Sequence, residues 1–349
     1  MAELLLLGVT HYPPLCGVDD DMAGIHRHLL ADPAVPAEAT DPANWPAAQL
    51  AEWGDDQGRA AAAGHRAALV AGFDRVRAEL EAFQPDAVLV WGDDQYENFR
   101  EDLIPPFALL AYDDLEAHPW ANRRGANAWG EPADAAFKVR GHPELARWLA
   151  AELLQDDIDL AYAYQPRHHP DLAHAFLNAV LFLDYHRRGF TWPVVAMPLN
   201  CYGRRVISAH GAWKPFGTPL VDDPPSPSPR RFMDVGAAVA RALRRSPWRV
   251  ALLASSSWSH AFLVDHTWRL RPDTEADRRL YEALCTGDLA TWEQTSLAAV
   301  ERAGQQEVLN WFCLVGAARE LGGRPPAWAT FVETQVFNSN KVFAVWDVQ

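Results

Sequence analysis

Residues 87–99 read AVLVWGDDQYENF, and the way this stretch is read decides the fold. Residues 87–91 are uncharged and rich in branched and aromatic side chains, the pattern of a strand covered on both faces, as in a parallel sheet. Gly92 breaks the run. Asp93, Asp94, Gln95 and Glu97 then place three carboxylates and an amide within five positions. Burying such a group is costly unless it faces water, caps a turn or helix, or meets a cation. The stretch therefore reads either as a sheet edge opening onto a site or as an Asp-capped turn into a loop.

Working outward, residues 57–83 carry helical spacing, with Ala67, Leu69, Val70, Phe73, Val76 and Leu80 on an inner stripe. Before them, residues 4–9 form an apolar run ended by Thr10-His11-Tyr12-Pro13-Pro14, where the prolines stop a strand. Residues 31–47 are rich in Ala, Pro and Asp without periodicity and read as a surface excursion. Downstream, residues 103–129 read as an aromatic loop, 142–154 as a helix, 158–164 as a strand and 175–185 as an apolar helix. Residues 192–199 are a third buried-type strand, ending at Asn200 and Cys201. A Pro/Ser-rich stretch at 222–230, DDPPSPSPR, reads as an exposed loop and not a domain boundary, because strands of one kind lie on both sides. Residues 249–254 make a fourth such strand, ending in Ser255-Ser256-Ser257-Trp258-Ser259-His260. Residues 304–321 form an apolar helix with Glu307 in its first turn. The expected fold is α/β: one domain over residues 1–349, with a central, mostly parallel or mixed sheet flanked by helices.

Four strands thus pass from apolar residues to polar groups at their carboxyl ends, the edge where ligands bind in open α/β sheets. His11, Asp94 or Gln95, Asn200 and His260 are expected to project into one crevice there. A formal charge of -15 argues against a nucleic-acid or anionic-membrane partner. The N-terminus has no basic segment ahead of its short apolar run and reads as a first strand, not a signal peptide. Cys16, Cys201, Cys285 and Cys313 show no C-x-x-C spacing and read as reduced thiols in a cytoplasmic protein. There is no phosphate-binding glycine loop and no G-x-S-x-G elbow to make a nucleophile of the serines before His260. A histidine at a strand end with a helical carboxylate, Glu307, suits a mononuclear metal that keeps open positions.

The segments THYPPL at His11, DDQYENF after the second strand, DLAHAFLN at His174, SSSWSH at His260 and Glu307 before its helix occur in the order found in a known family. Over residues 4–316 the chain resembles class III extradiol ring-cleaving dioxygenases, the LigB-like enzymes that include protocatechuate 4,5-dioxygenase catalytic subunits and DOPA dioxygenases. The resemblance implies a LigB-like domain, a non-haem Fe(II), a small aromatic catechol-type substrate with O2, and a homo-oligomer. It implies His11 and Glu307 as iron ligands, His260 as a base on the catecholic hydroxyl or a group that steadies bound oxygen, and His174 as an acid or hydrogen-bond donor. The family's second ligand histidine, in D-H-x-x-x-F, falls at Gln95, so the third ligand is expected to be Gln95 or, in its place, Asp94. An amide oxygen is a poorer donor than imidazole, and metal affinity falls unless Asp93, Asp94 or Glu97 supplies an oxygen instead. Asn200, Tyr96 and Trp258 are the candidates for contacting substrate. The alternative is a metal-poor LigB-like relative that binds a ligand or partner, or runs different chemistry in the same crevice.

Overall fold

The computed structural model describes residues 2–204, 209–211, 214–219 and 223–348. Ten strands occur among the described residues: β1 (Leu4–Val9), β2 (Ala87–Asp93), β3 (Ala108–Leu110), β4 (Leu115–Ala117), β5 (Phe137–Val139), β6 (Ala161–Ala163), β7 (Val194–Leu199), β8 (Val250–Ser255), β9 (Trp328–Val332) and β10 (Lys341–Val345). Eight form one mixed sheet in the order β6-β3-β7-β2-β8-β1-β10-β9, and β4 pairs with β5 apart from it. The four central strands β7, β2, β8 and β1 are parallel, so their carboxyl ends lie along one edge. This is the α/β architecture expected from four uncharged runs separated by helical spacing.

Alternate residues of the central strands feed two cores, as the two-residue period of a strand requires. Leu4, Leu6, Leu89, Trp91, Met197 and Leu252 pack with the helices Pro229–Leu243 and Leu309–Glu320. Leu5, Leu7, Val9, Val88, Val90 and Leu253 face the other way, onto Arg59–Phe83 and His174–Leu183. The first pair of helices is in backbone contact. A Cβ on Gly236 would sit 1.8 Å from the Cys313 carbonyl oxygen, and one on Gly316 would sit 2.0 Å from that of Met233. Only glycine allows this approach, which fixes the helix that follows Glu307 against its neighbour Pro229–Leu243.

Several boundaries differ from expectation, each for a local reason. β2 does not stop at Trp91: Gly92 and Asp93 continue it, opposite Pro198 and Leu199 of β7. The segment 103–129 is not all loop, since β3 and β4 lie in it. Glu307 lies in a 3-10 turn, Gln306–Val308, that leads into the helix and not in the helix itself. Residues 31–47 contain a short helix, Ala37–Thr40, and a 3-10 turn, Pro42–Asn44. Residue 222 lies outside the described residues, and 223–228 have no regular structure until Ser228 accepts the Arg231 N–H and starts Pro229–Leu243. All four cysteines are free thiols. No described helix is long and apolar enough to cross a membrane.

Candidate metal centre at the carboxyl edge of the sheet

Three of the four parallel strands, together with the 3-10 turn before Leu309–Glu320, deliver the groups of the site. His11 follows β1 and is buried; its Nδ1–H donates to the Ser255 carbonyl at the end of β8, 3.0 Å away. That bond leaves Nε2 as the outward-facing nitrogen, the arrangement that prepares a histidine for a metal. Asp93, the last residue of β2, has Oδ1 3.8 Å from His11 Nε2. Glu307 brings Oε2 to 3.3 Å from the same nitrogen. One ligand atom from each of His11, Asp93 and Glu307 lies within 4.8 Å of the others, and all three residues are buried. These are the side chains here that could hold a metal ion.

The carboxylates are held from behind. Glu307 Oε1 accepts the Tyr202 hydroxyl at 2.5 Å and the Gln95 amide at 3.0 Å, and lies 3.3 Å from His260 Nε2. Asp93 accepts Gln95 at Oδ2 and Asn310 at Oδ1, 2.9 and 3.4 Å away. His174 stands edge-on to His11, with ring centroids 5.1 Å apart, and its Nδ1 is 2.7 Å from Glu97.

Charge is distributed unevenly among these groups. Burial pushes the Asp93 carboxyl up and Glu307 adds to the effect, so that it sits at about 6 in spite of His11. Burial also opposes ionisation of Glu307, but His260 and His11 outweigh it and hold its carboxyl down at about 2. Burial works against a charged His11, yet Glu307 and Asp93 raise it above the ordinary imidazole value. At His174 burial is again outweighed, by Glu97 first, and the imidazole rises to about 10. His260 goes the other way: burial lowers it, and Glu307 only partly compensates. Two buried carboxylates on one imidazole nitrogen draw in positive charge, either a proton or a cation that displaces it.

The structure brings His11, Gln95, Glu307, His260 and His174 together. It does not bring Asp94 to the cluster: Asp94 accepts the backbone N–H groups of Glu97, Asn98 and Phe99, a turn cap with both oxygens in use. Asp93, one residue earlier, takes the place expected for Asp94. Gln95 is inside the cluster, but it is its amide nitrogen that faces the acids. Trp258 is core and not a substrate wall, with Trp292 and Trp311 packed edge-on against it and no exposed surface. Tyr96 and Asn200 line a shallow crevice with Phe99, Ile104 and Leu199 at the same edge. Tyr96 has a left-handed φ of 68° and stacks on His210. Glu97, an alternative oxygen donor in the sequence reading, pairs with His174 instead of facing His11, and Tyr202 and Asn310 are site residues that the sequence reading does not contain. Asn310, a buried amide three residues after Glu307 in an apolar helix, is the one whose sequence position signals it.

Several curated proteins similar to this chain carry the same kind of name. Proteins of Paraburkholderia xenovorans (strain LB400) and Pseudomonas putida, each described as a 2,3-dihydroxyphenylpropionate/2,3-dihydroxicinnamic acid 1,2-dioxygenase, are 28% identical to it over 184 and 185 residues, 53% of this chain and 46% of theirs. The Cupriavidus necator protein of that description is 28% identical over 198 residues, 55% of this chain and 50% of its own. The chain is thus a distant homologue of proteins named as dioxygenases, and it spans about half the length of the curated relatives it matches. No family model matches it. Among solved structures, an uncharacterized protein from Escherichia coli K12 superposes with a TM-score of 0.45 at 13% identity, over 79% of this chain and 91% of that one.

Proposed function

We propose that this protein is an extradiol-type dioxygenase that opens the ring of a catechol or related hydroxylated aromatic with O2, using a non-haem Fe(II) held in the His11 pocket. The observation that carries the reading is the convergence of His11, Asp93 and Glu307 at the carboxyl edge of the sheet, in a chain homologous to named dioxygenases. The donor set fits a divalent ion: an imidazole with its far nitrogen tied down, and a buried carboxylate oxygen, Glu307 Oε2, without a hydrogen-bond partner. Fe(II) there would supply open positions at which a catechol and O2 exchange charge.

The chain's own residues manage the protons. His260 and His174 flank the pocket with affinities pushed apart, the pattern that assigns base and acid in one site. His260, kept neutral by burial, suits uptake of a hydroxyl proton from the substrate. His174, kept charged by Glu97, suits donation to the opening ring, and its bond to Glu97 through Nδ1 leaves Nε2 for that task. Tyr96 and Asn200 line a crevice with Asp94 at the same edge of the sheet, and in this reading they meet the part of the substrate remote from the metal. Protein reconstituted anaerobically with Fe(II) is expected to consume O2 with 2,3-dihydroxyphenylpropionate or another catechol and to form a ring-opened product. Absence of oxygen uptake across a catechol panel by iron-loaded protein overturns the reading.

A further inference from the structure

Gln95 stands where the resemblance calls for a ligand histidine, yet its contacts are not those of a ligand. Its Nε2 lies 2.9 Å from Asp93 Oδ2 and 3.0 Å from Glu307 Oε1, with the Tyr202 hydroxyl at 3.2 Å. An amide that faces two carboxylates must present its NH2 to them, which turns its only metal-binding atom, the carbonyl oxygen, away. The oxygens that Gln95 does not touch, Asp93 Oδ1 and Glu307 Oε2, are those that face His11 Nε2, at 3.8 and 3.3 Å. Each of the three residues therefore has one end anchored in the protein: His11 on Ser255, Asp93 and Glu307 on Gln95. Each presents its other end to a common point, and Glu307 Oε2 is buried there without a partner. Metal–oxygen and metal–nitrogen bonds of about 2.1 Å place neighbouring ligand atoms about 3 Å apart, so an ion needs only a small inward shift of these atoms.

We propose that the metal is held by one histidine and two carboxylates, His11, Asp93 and Glu307, while Gln95 stays outside its coordination and clamps both carboxylates so that each offers a single oxygen. This rests on the metal-dependent reading above and names the ligands of that site. Two carboxylates cancel the charge of a divalent ion, and an oxygen-rich set with one imidazole suits Mn(II) and Fe(II). With the ion's charge already cancelled, the site attracts a catechol that keeps one proton better than a dianion, which gives His260 its proton to remove. Gln95 and Asp93 then act together: a carboxylate ligand with its own clamp stands where the resemblance implies an imidazole ligand.

The test is metal binding by the full chain, stripped with chelator and titrated by calorimetry with Mn(II), and with Fe(II) under anaerobic conditions. Asp93→Asn is expected to weaken binding by more than about 100-fold, and Gln95→Ala by about 10- to 100-fold, the range for a residue that orients a ligand. Melting of the metal-free proteins checks folding: Asp93→Asn relieves repulsion with Glu307 but turns one oxygen that accepts from Gln95 or Asn310 into a donor, so the variant is expected to melt cooperatively and to lose the rise that Mn(II) produces in the native sequence. Pulsed EPR of the Mn(II)-loaded native sequence needs no variant and is expected to detect one coordinated imidazole nitrogen. Wild-type affinity in Asp93→Asn, a larger loss in Gln95→Ala than in Asp93→Asn, two coordinated imidazoles, or no binding by the native sequence each overturns the proposal. Mn(II) binding with this pattern but no oxygen uptake by the iron-loaded protein sustains the ligand assignment and overturns ring cleavage alone.

Discussion

The adjacent residues His11 and Tyr12 each belong to a buried cluster, and the two clusters handle charge in opposite ways. Around His11 the partners are acids, Asp93 and Glu307, and both the imidazole and the pocket favour added positive charge. Around Tyr12 the partners are bases. Lys341, with no exposed surface, places Nζ 3.7 Å from the centre of the Tyr12 ring and hydrogen-bonds the Phe337 carbonyl and His65 Nε2 at 2.9 and 3.0 Å. Burial drives the Lys341 amine well below its ordinary value, with Glu52 opposing, and burial together with Lys341 does the same to His65. One cluster is closed by neutral hydrogen bonds, whereas the other holds an excess of acids that a proton or a cation can balance. Burial of ionisable groups is common to both, so the sign and number of the partners separate a site from a structural knot.

The comparison breaks first, and with the largest effect, at Glu307. Replacing it with Gln keeps the shape and removes the charge that His11, His260 and Tyr202 all address. Mn(II) affinity is expected to fall by more than about 100-fold, beyond the cost of losing an orienting residue, and oxygen uptake with catechols is expected to vanish with it. Calorimetry and an oxygen electrode check both; retained binding would make the acidic cluster another structural knot.

A smaller effect is expected at Glu97, whose pairing holds His174 charged. A general acid works in its protonated form, so activity that depends on His174 is full below its pKa and lost as pH rises through it. With Glu97 in place the imidazole stands at about 10 in the metal-free protein, burial being outweighed by Glu97 first. Glu97→Gln removes its largest raising influence, so the alkaline limb of the kcat profile is expected to move toward the ordinary imidazole range near 6.5. At pH 8 this predicts a loss of about 10- to 100-fold in kcat with little change in KM, whereas an unmoved alkaline limb would remove His174 from the proton path.

Lys341→Met sharpens the other side. Between the lowered native value of Lys341 and about 10.4, the unfolded chain carries a proton that the folded chain lacks. Stability therefore rises with pH in that window and is lost as pH falls, by at most about 1.4 kcal/mol per unit. The methionine variant is expected to lose this slope, as read by urea unfolding at several pH values. A difference between the two proteins that does not vary with pH would mean a charged lysine in the fold.

Much of this was legible in the sequence, and what was not has a geometric cause. The four apolar runs ending in polar residues gave the parallel core and its functional edge, because buried strands carry no charge and the polar turn must come where the sheet ends. His11 and Glu307 are legible as candidates because a histidine after a first strand and an acid before an apolar helix stand out from their surroundings, and the structure brings them together. Asp93 was not separated from Asp94, because Gly92 read as the end of the strand. Pairing with β7 carries the strand one residue past it, and in a strand a one-residue shift sends a side chain to the opposite face. Ala87, Leu89 and Trp91 share the face of the core that holds the helix Leu309–Glu320, and Asp93 continues that alternation toward Glu307 and Asn310. Tyr202 and the Glu97–His174 pair depend on contacts across 105 and 77 residues, which no local spacing encodes.

The same alternation sets the smallest expected effect and makes it the sharpest control. Asp94 differs from Asp93 by one position, and both carboxyls are pushed up by burial to about 6. Asp94, however, is consumed by the N–H groups of Glu97, Asn98 and Phe99. In Asp94→Asn one of its two oxygens becomes an NH2 group that cannot accept from the backbone, so part of the cap is lost, at about 1 kcal/mol as for other capping side chains. The turn that carries Gln95 stays in place through the remaining oxygen, and Mn(II) affinity is expected within about threefold of the native sequence, since a turn cap acts on the metal only through that turn. Set beside Asp93→Asn, this is one chemical change at two neighbouring positions, each of which loses a hydrogen-bond acceptor, with metal binding falling at the first alone. Equal losses of metal at both positions would mean that the sheet edge as a whole, and not the side of the strand an acid occupies, determines which carboxylate meets the ion.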